Sequence, residues 1–172
     1  MTIDLSTRIR DIPDFPVAGI LYRDITPLLL DPAAFQDAVE CMCEPWVERQ
    51  VDLVAAIEAR GFLFAAPIAL RLGSGFVPIR KPGKLPAKTV SAEYVLEYRQ
   101  DRLEVHEDAV RPHQRVLILD DVLATGGTAA AALQLMQGMQ ADVVGFQFLV
   151  ELTELRGRDL LRGNDVRTVL TC

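Results

Sequence analysis

Short apolar runs alternate along the chain with segments whose apolar residues recur every three or four positions, the pattern of a mostly parallel sheet covered by helices. Asp31-Pro32 reads as a helix start, and Phe35, Val39, Met42 and Trp46 follow at helical spacing. Pro45 should kink or end that helix near Cys41, because it has no N–H for the helical ladder. Next come a buried-type strand over 51–57, a turn over 58–61, a helix over 62–72 closed by Gly73, and a short strand over 76–79. Two prolines and a glycine keep 80–88, RKPGKLPAK, out of helix and central strand. Over 91–105, Val95, Leu96, Tyr98, Leu103 and Val105 fit a polar-edged hairpin with its turn near 99–102, and Pro112 ends the segment. A fully apolar strand over 116–119 runs straight into two aspartates. After Gly126-Gly127 an alanine-rich helix should bury Ala129, Ala132, Leu133 and Met136. Strands over 143–150 and 166–170, with a short helix over 155–161 between them, complete an α/β architecture.

Composition agrees with one globular domain: 172 residues, 50% hydrophobic and 24% charged, with no linker or composition break. The longest apolar run, 62–70, is far below the roughly 18 residues of a membrane span, and residues 1–4 open no apolar leader. Cys41, Cys43 and Cys172 are odd in number and lack metal spacing, so free thiols in a reducing cytoplasm are expected. A formal charge of −6 repels nucleic acid and anionic lipid unless basic residues are concentrated. They are concentrated: the only lysines, Lys81, Lys84 and Lys88, share 80–88 with Arg80. Such a cluster is either a solvated face or a loop that holds a polyanion.

The stretch VLILDDVLATGGT, 116–128, carries the most chemistry. It is a buried strand, two adjacent carboxylates, then small residues opening a helix, and ligands of parallel sheets bind beyond such strand ends. Backbone N–H groups of Ala124, Thr125, Gly126, Gly127 and Thr128, at the positive end of the helix dipole, can cradle a phosphate. Asp120 and Asp121 then face the ligand's next atoms, where acceptor-only groups suit a vicinal diol such as ribose or help to hold Mg²⁺. Neither GxGxxG nor GxxxxGK[ST] is present, which disfavours a dinucleotide or nucleoside triphosphate.

Hydrophobics, two acids and a TGGT loop resemble the 5-phosphoribosyl 1-pyrophosphate (PRPP) signature of the type I phosphoribosyltransferases. IRDIPDFPVAGILYRDITPLL (9–29), EARGFLFAAP (58–67), RKPGKLP (80–86) and LEYRQDRLEVHEDA (96–109) resemble adenine phosphoribosyltransferase segments in the same order. Only the last twenty or so residues are weakly diagnostic. The resemblance implies the type I phosphoribosyltransferase fold as a single domain over 1–172, with a base-binding hood segment at about 1–30 and a flexible catalytic loop at about 89–104. It implies transfer of the phosphoribosyl group to adenine N9, giving AMP and pyrophosphate with Mg²⁺, in a cytoplasmic purine-salvage homodimer.

By the same resemblance, residues 124–128 take the 5′-phosphate, and Asp120 and Asp121 face the ribose hydroxyls, where they can share a Mg²⁺ held mainly by PRPP. Arg60, Arg80, Lys81 and Lys84 contact pyrophosphate, which gives the lysine cluster a reason on an acidic protein. Leu21, Tyr22 and Arg23 lie beside adenine, with Val122 and Leu123 on its other side. Glu97 is placed against adenine N7, and Tyr98 belongs to the closing hood. Arg99 and His113 stand where related sequences often have turn glycines, Ala65 replaces a frequent glycine, and neither His106 nor His113 is given a catalytic role. A 6-oxopurine enzyme is the nearest alternative, disfavoured because Gly127 stands where those enzymes often carry lysine. A PRPP-sensing regulator would need a nucleic-acid-binding face, for which this chain leaves little room.

Overall fold

The computed structural model describes residues 3–96 and 99–172. Its chain divides into an N-terminal unit ending at Cys41 and a second unit, Met42–Cys172.

In the first unit, β1 (Arg10–Pro13) pairs antiparallel with β2 (Leu21–Asp24), setting Asp11 against Arg23 and Ile12 against Tyr22. Arg23 and Asp11 form an ion pair across the ribbon. Phe15 meets the Tyr22 ring edge-on at 5.1 Å, and Phe15, Val17, Ile20 and Leu21 leave an exposed apolar loop. Asp24 closes β2 and opens α1 (Thr26–Leu30): its Oδ1 accepts the Thr26 hydroxyl at 2.6 Å and the Thr26 N–H at 2.9 Å, while Oδ2 accepts from Arg10 at 2.6 Å. The Thr26 bonds, then Arg10, lower the Asp24 pKa to about 2. A lowered carboxylate stabilises the fold above its unfolded value and loses that contribution as pH falls through about 2. Asp24→Ala should therefore cost about 1–2 kcal/mol at neutral pH in urea denaturation, with the gap from wild type closing in acid.

Helix α2 (Pro32–Cys43) starts as its sequence predicts, with Asp31 Oδ1 accepting the N–H groups of Ala33 and Ala34. Ala34, Ala38 and Met42 form its buried stripe, whereas Phe35 and Val39 are half-buried. Pro45 acts two residues later than expected, for the α-helix reaches Cys43 before tightening into a 3₁₀ turn, Glu44–Trp46. The carbonyl that Pro45 leaves without a helical donor is that of Cys41, so the last turn persists.

The second unit is built on β3 (Leu53–Ile57), α3 (Arg60–Leu72), β4 (Gly75–Ile79), β5 (Thr89–Leu96), β6 (Arg99–His106), β7 (Arg115–Leu123), α4 (Gly127–Gly138), β8 (Asp142–Glu151) and β9 (Val166–Thr171). Five of these strands make a parallel sheet in the order β4-β3-β7-β8-β9. Strand order reverses between β3 and β7, and the crevice beyond the carboxyl ends of such a pair is where α/β sheets bind ligands. Val54, Ala55 and Ala56 of β3 and Val116, Leu117, Ile118 and Leu119 of β7 are fully buried, as strands covered on both faces must be. One core joins Ile57, Ile79, Leu103, Val105, Ile118, Ala132, Met136, Phe146 and Phe148. Pro78 is tolerated because β4 is an edge strand.

Four boundaries differ from the sequence expectation. Helix α3 begins at Arg60 and continues through Pro67, held by the buried Phe64, Ala65, Ile68 and Ala69, and Gly73 ends it with φ +66. Strand β7 does not stop at Leu119: its pairing with β8 carries through both aspartates to Leu123 opposite Glu151, since carboxylates do not interrupt a backbone ladder. The hairpin turn is not at 99–102, because Arg99 already pairs with Leu96, and the register is anchored by the buried Leu103 and Val105. Helix 155–161 is instead two 3₁₀ turns, Thr153–Leu155 and Gly157–Leu161, separated at Arg156 with φ +53. In α4 the buried residues are Ala129, Ala131, Ala132, Leu135 and Met136, with Leu133 only partly covered. His113 does occupy a left-handed position, φ +65, where glycine is most at ease.

Candidate active site

The carboxyl ends of β3, β4 and β7 lie side by side, because Ile57 pairs with Ile79 and Ala56 with Leu119. Whatever follows each strand is thereby gathered on one edge: Glu58 to Gly61 after β3, the basic loop after β4, and the small-residue loop after β7.

On β7, Asp120 Oδ1 accepts the Asp121 N–H at 2.9 Å. Arg60, in the first turn of α3, brings its Nε to 2.7 Å from Asp121 Oδ2. That contact is an ion pair outside hydrogen-bonding geometry, and Oδ2 is a buried oxygen with no hydrogen-bond donor among the described residues. Desolvation raises the pKa of both carboxyls; the neighbouring Asp121 charge pushes Asp120 further up, and Arg60 partly offsets the rise at Asp121. The Arg60 cation eases the crowding of the two carboxylates, while the Asp121 oxygen beside it still lacks a donated hydrogen. Gly61 lets the helix come this close, for a Cβ there would lie 2.9 Å from Asp120 Oδ1 and 3.3 Å from its Cα.

Ala124, Thr125 and Gly126 turn the chain from β7 into α4, with Gly126 at φ +83 and the first helical bond running from Ala130 N–H to the Gly126 carbonyl. The N–H groups of Gly127, Thr128 and Ala129 therefore precede the helical ladder and sit at the positive end of its dipole. A cavity of about 60 Å³ opens here, lined by Asp120, Val122, Leu123, Thr125, Gly126 and Thr128.

The basic loop is fastened at its root by acids. Glu58 accepts the Arg80 Nε–H and the Lys81 backbone N–H, each at 2.8 Å. Burial works to raise the Glu58 pKa, but those two donors and the nearby cations outweigh it and lower it, so Glu58 stays ionised. Arg80 and Glu104 exchange both backbone hydrogen bonds, and Glu104 Oε2 accepts from Gly83 N–H at 3.1 Å. Lys81 and Lys84 project from this frame as exposed residues.

The structure thus brings Arg60, Arg80, Lys81, Lys84, Asp120, Asp121, Val122, Leu123 and residues 124–128 to one sheet edge. Leu21, Tyr22 and Arg23 form β2 of the N-terminal unit. Glu97 and Tyr98 lie outside the described residues. Glu58 and Glu104 are the site residues that sequence reasoning passed over; both stand inside the quoted motifs, but nothing local marks an acid as the clasp of a distant basic loop. No group of three or more His, Cys, Asp or Glu converges among the described residues, so a divalent ion would need oxygens from a ligand beside those of Asp120 and Asp121.

A parallel sheet with a phosphate-type loop and paired carboxylates at its switch point defines a class of α/β proteins that bind phosphorylated ligands beyond their strand ends. The phosphoribosyl transferase domain matches residues 38–169. Adenine phosphoribosyltransferase of Thermotoga maritima is 55% identical over 98% of this chain and 97% of its own length. The corresponding protein of Thermobifida fusca is 51% identical, with 99% of both covered. Among solved structures, adenine phosphoribosyltransferase from Thermoanaerobacter pseudethanolicus superposes with a TM-score of 0.96 at 52% identity, covering 98% of each chain. The Saccharomyces cerevisiae protein, solved with an imino-altritol bisphosphate and adenine, gives 0.91 at 38% identity over 97% of each chain. The chain belongs to the phosphoribosyltransferase family, among the adenine phosphoribosyltransferases, and has the type I fold.

Proposed function

We propose that this chain transfers the 5-phosphoribosyl group of PRPP to N9 of adenine, giving AMP and pyrophosphate in purine salvage. The observation that carries this reading is the meeting, on one sheet edge, of a phosphate-type loop, a carboxylate pair and a basic loop, in a chain similar throughout to adenine phosphoribosyltransferases. Residues 124–128 take the 5′-phosphate, and the ribose hydroxyls donate to Asp120 and Asp121. Arg60, Arg80, Lys81 and Lys84 surround the pyrophosphate. Asp121, whose Oδ2 accepts no hydrogen bond, would help to hold a Mg²⁺ shared with PRPP, and such an ion would neutralise charge on the leaving group.

The N9–C1′ bond forms as the C1′–oxygen bond to pyrophosphate breaks, so positive charge at C1′ faces carboxylates while negative charge on the leaving group faces cations. Leu21, Tyr22 and Arg23 read the adenine, and Val122 and Leu123 supply apolar contact. Glu97 bonds N7, and Tyr98 closes with the hairpin at about 89–104 to exclude water that would hydrolyse PRPP. The test is nucleotide formation from PRPP and Mg²⁺ with adenine, hypoxanthine, guanine or xanthine supplied separately. AMP alone is expected; IMP, GMP or XMP, or no nucleotide at all, would overturn the reading.

Lys84→Ala should raise KM for PRPP about tenfold, the loss of one charge-assisted contact. Its melting temperature should stay at the wild-type value, since Lys84 is exposed. Homodimer formation is supported by an outward apolar stripe on α3: Leu63 is 44% and Leu70 84% exposed, with Ala66 and Pro67 between them and Phe76 of edge strand β4 nearby in the fold. Light scattering should find Leu70→Glu monomeric and the parent dimeric. Thiols at Cys41, Cys43 and Cys172, joined by no disulfide among the described residues, suit a reducing cytoplasm.

A further inference from the structure

We propose that Gly157 is a positioning residue for the 5′-phosphate loop, the turn around it forming a rigid wall behind Ala124 and Gly126. The proposal rests on the assignment of residues 124–128 to that phosphate. The two segments meet backbone to backbone. A Cβ on Gly157 would lie 2.8 Å from the Gly126 nitrogen and 3.0 Å from the Ala124 carbonyl carbon, and nearer still to the Ala124 oxygen. A Cβ on Gly126 would lie 3.0 Å from both Cα and the carbonyl carbon of Gly157. Backbone cannot rotate aside as a flexible side chain can, so neither position admits a methyl group without moving the other strand of chain.

The reasons for glycine differ at the two places. Gly126 needs it for conformation as well as space, with φ +83; Gly157 is not a positive-φ glycine, and space alone requires it. The wall is itself anchored. Arg158 donates to Glu151 Oε1 at 3.0 Å and to the Val166 carbonyl at 2.7 Å, tying the turn to the ends of β8 and β9. Glu151 pairs with Leu123, and the Leu152 N–H donates to the Leu123 carbonyl at 2.9 Å, so the anchor reaches the residue before the phosphate loop. An N–H cradle works only while its donors converge, and this wall keeps the loop from relaxing away from its ligand.

The test compares steady-state kinetics of four variants. Gly157→Ala should raise KM for PRPP by about tenfold to a hundredfold, the scale of an ångström misplacement, with KM for adenine changed less than about twofold. Gly163→Ala is the control: at φ +87 in open space it should lower the melting temperature and leave KM for PRPP unchanged. If Gly157→Ala does not fold, Arg158→Gln, which frees the wall from Glu151 and Val166, should raise the same KM to a smaller extent. Wild-type KM for PRPP in folded Gly157→Ala, or in Arg158→Gln if that is the one that folds, overturns the proposal. Thr128→Asp, which sets a negative charge in the cradle, separates the two levels: if it raises KM for PRPP while the wall variants do not, only the positioning role fails, and if it too has no effect, the phosphate assignment falls with it.

Discussion

Asp121→Asn is expected to lower kcat/KM for PRPP roughly thirtyfold, and Asp120→Asn to lower it comparably while making the free protein more stable. The activity loss follows from the role proposed for these carboxylates, accepting from ribose or holding Mg²⁺: a charged hydrogen bond contributes about 2 kcal/mol, and the amide keeps the shape without the charge. The gain in stability follows from desolvation. Asp120 is forced beside Asp121 in a crowded site, and its pKa is raised. A group with a raised folded pKa contributes full stability below its unfolded value and loses it as pH rises through the folded one. Asp120→Asn should therefore melt about 2–4 °C above wild type at neutral pH, the shift that ~1 kcal/mol makes in a domain of this size. That difference should shrink as pH falls into the carboxylate range. Equal melting curves at all pH values would show that the Asp120 charge costs the fold nothing, and unchanged turnover in Asp121→Asn would remove it from the site.

The largest loss of stability is expected from Trp46→Ala. Trp46 is fully buried, and its Nε1–H donates at 2.8 Å to Gln147 Oε1, itself buried on β8. Gly145 makes room for the indole, for a Cβ there would lie 2.9 Å from Trp46 Cζ3 and closer to Cη2. Truncation removes about 3–5 kcal/mol of packing, and the orphaned Gln147 oxygen adds about 1 kcal/mol. Against a total of about 5–15 kcal/mol this is at least about a quarter of the stability. Trp46→Phe keeps most of the volume and loses the hydrogen bond, so chemical denaturation should place it between the two. Its turnover per folded molecule should match wild type, because Trp46 is not among the residues at the carboxyl ends of the strands.

Much of this was legible along the chain because it is local. Apolar runs mark β3, β7 and β8 since strands covered on both faces can carry little else, and Asp31-Pro32 and Gly73 mark helix ends through capping and positive φ. Glycines and threonines after two acids mark a phosphate loop, since only small residues let backbone N–H groups reach an anion. Ambiguity began where local and distant reasons compete: polar residues at 99–102 read as a turn, yet the register of the buried Leu103 and Val105 makes them strand.

By itself, then, the sequence determined the α/β class, the small-residue loop after Asp120 and Asp121, the basic loop and the family, because each is written in contiguous residues whose chemistry does not depend on neighbours elsewhere. Only the tertiary structure decided that Arg60 faces Asp121, that Glu58 and Glu104 clasp the basic loop, that Gly145 is cut to an indole far away in sequence, and that Gly157 abuts Ala124 and Gly126. Those are meetings of separate strand ends and turns, and a contact between distant segments is set by how elements pack and leaves no mark in either segment alone.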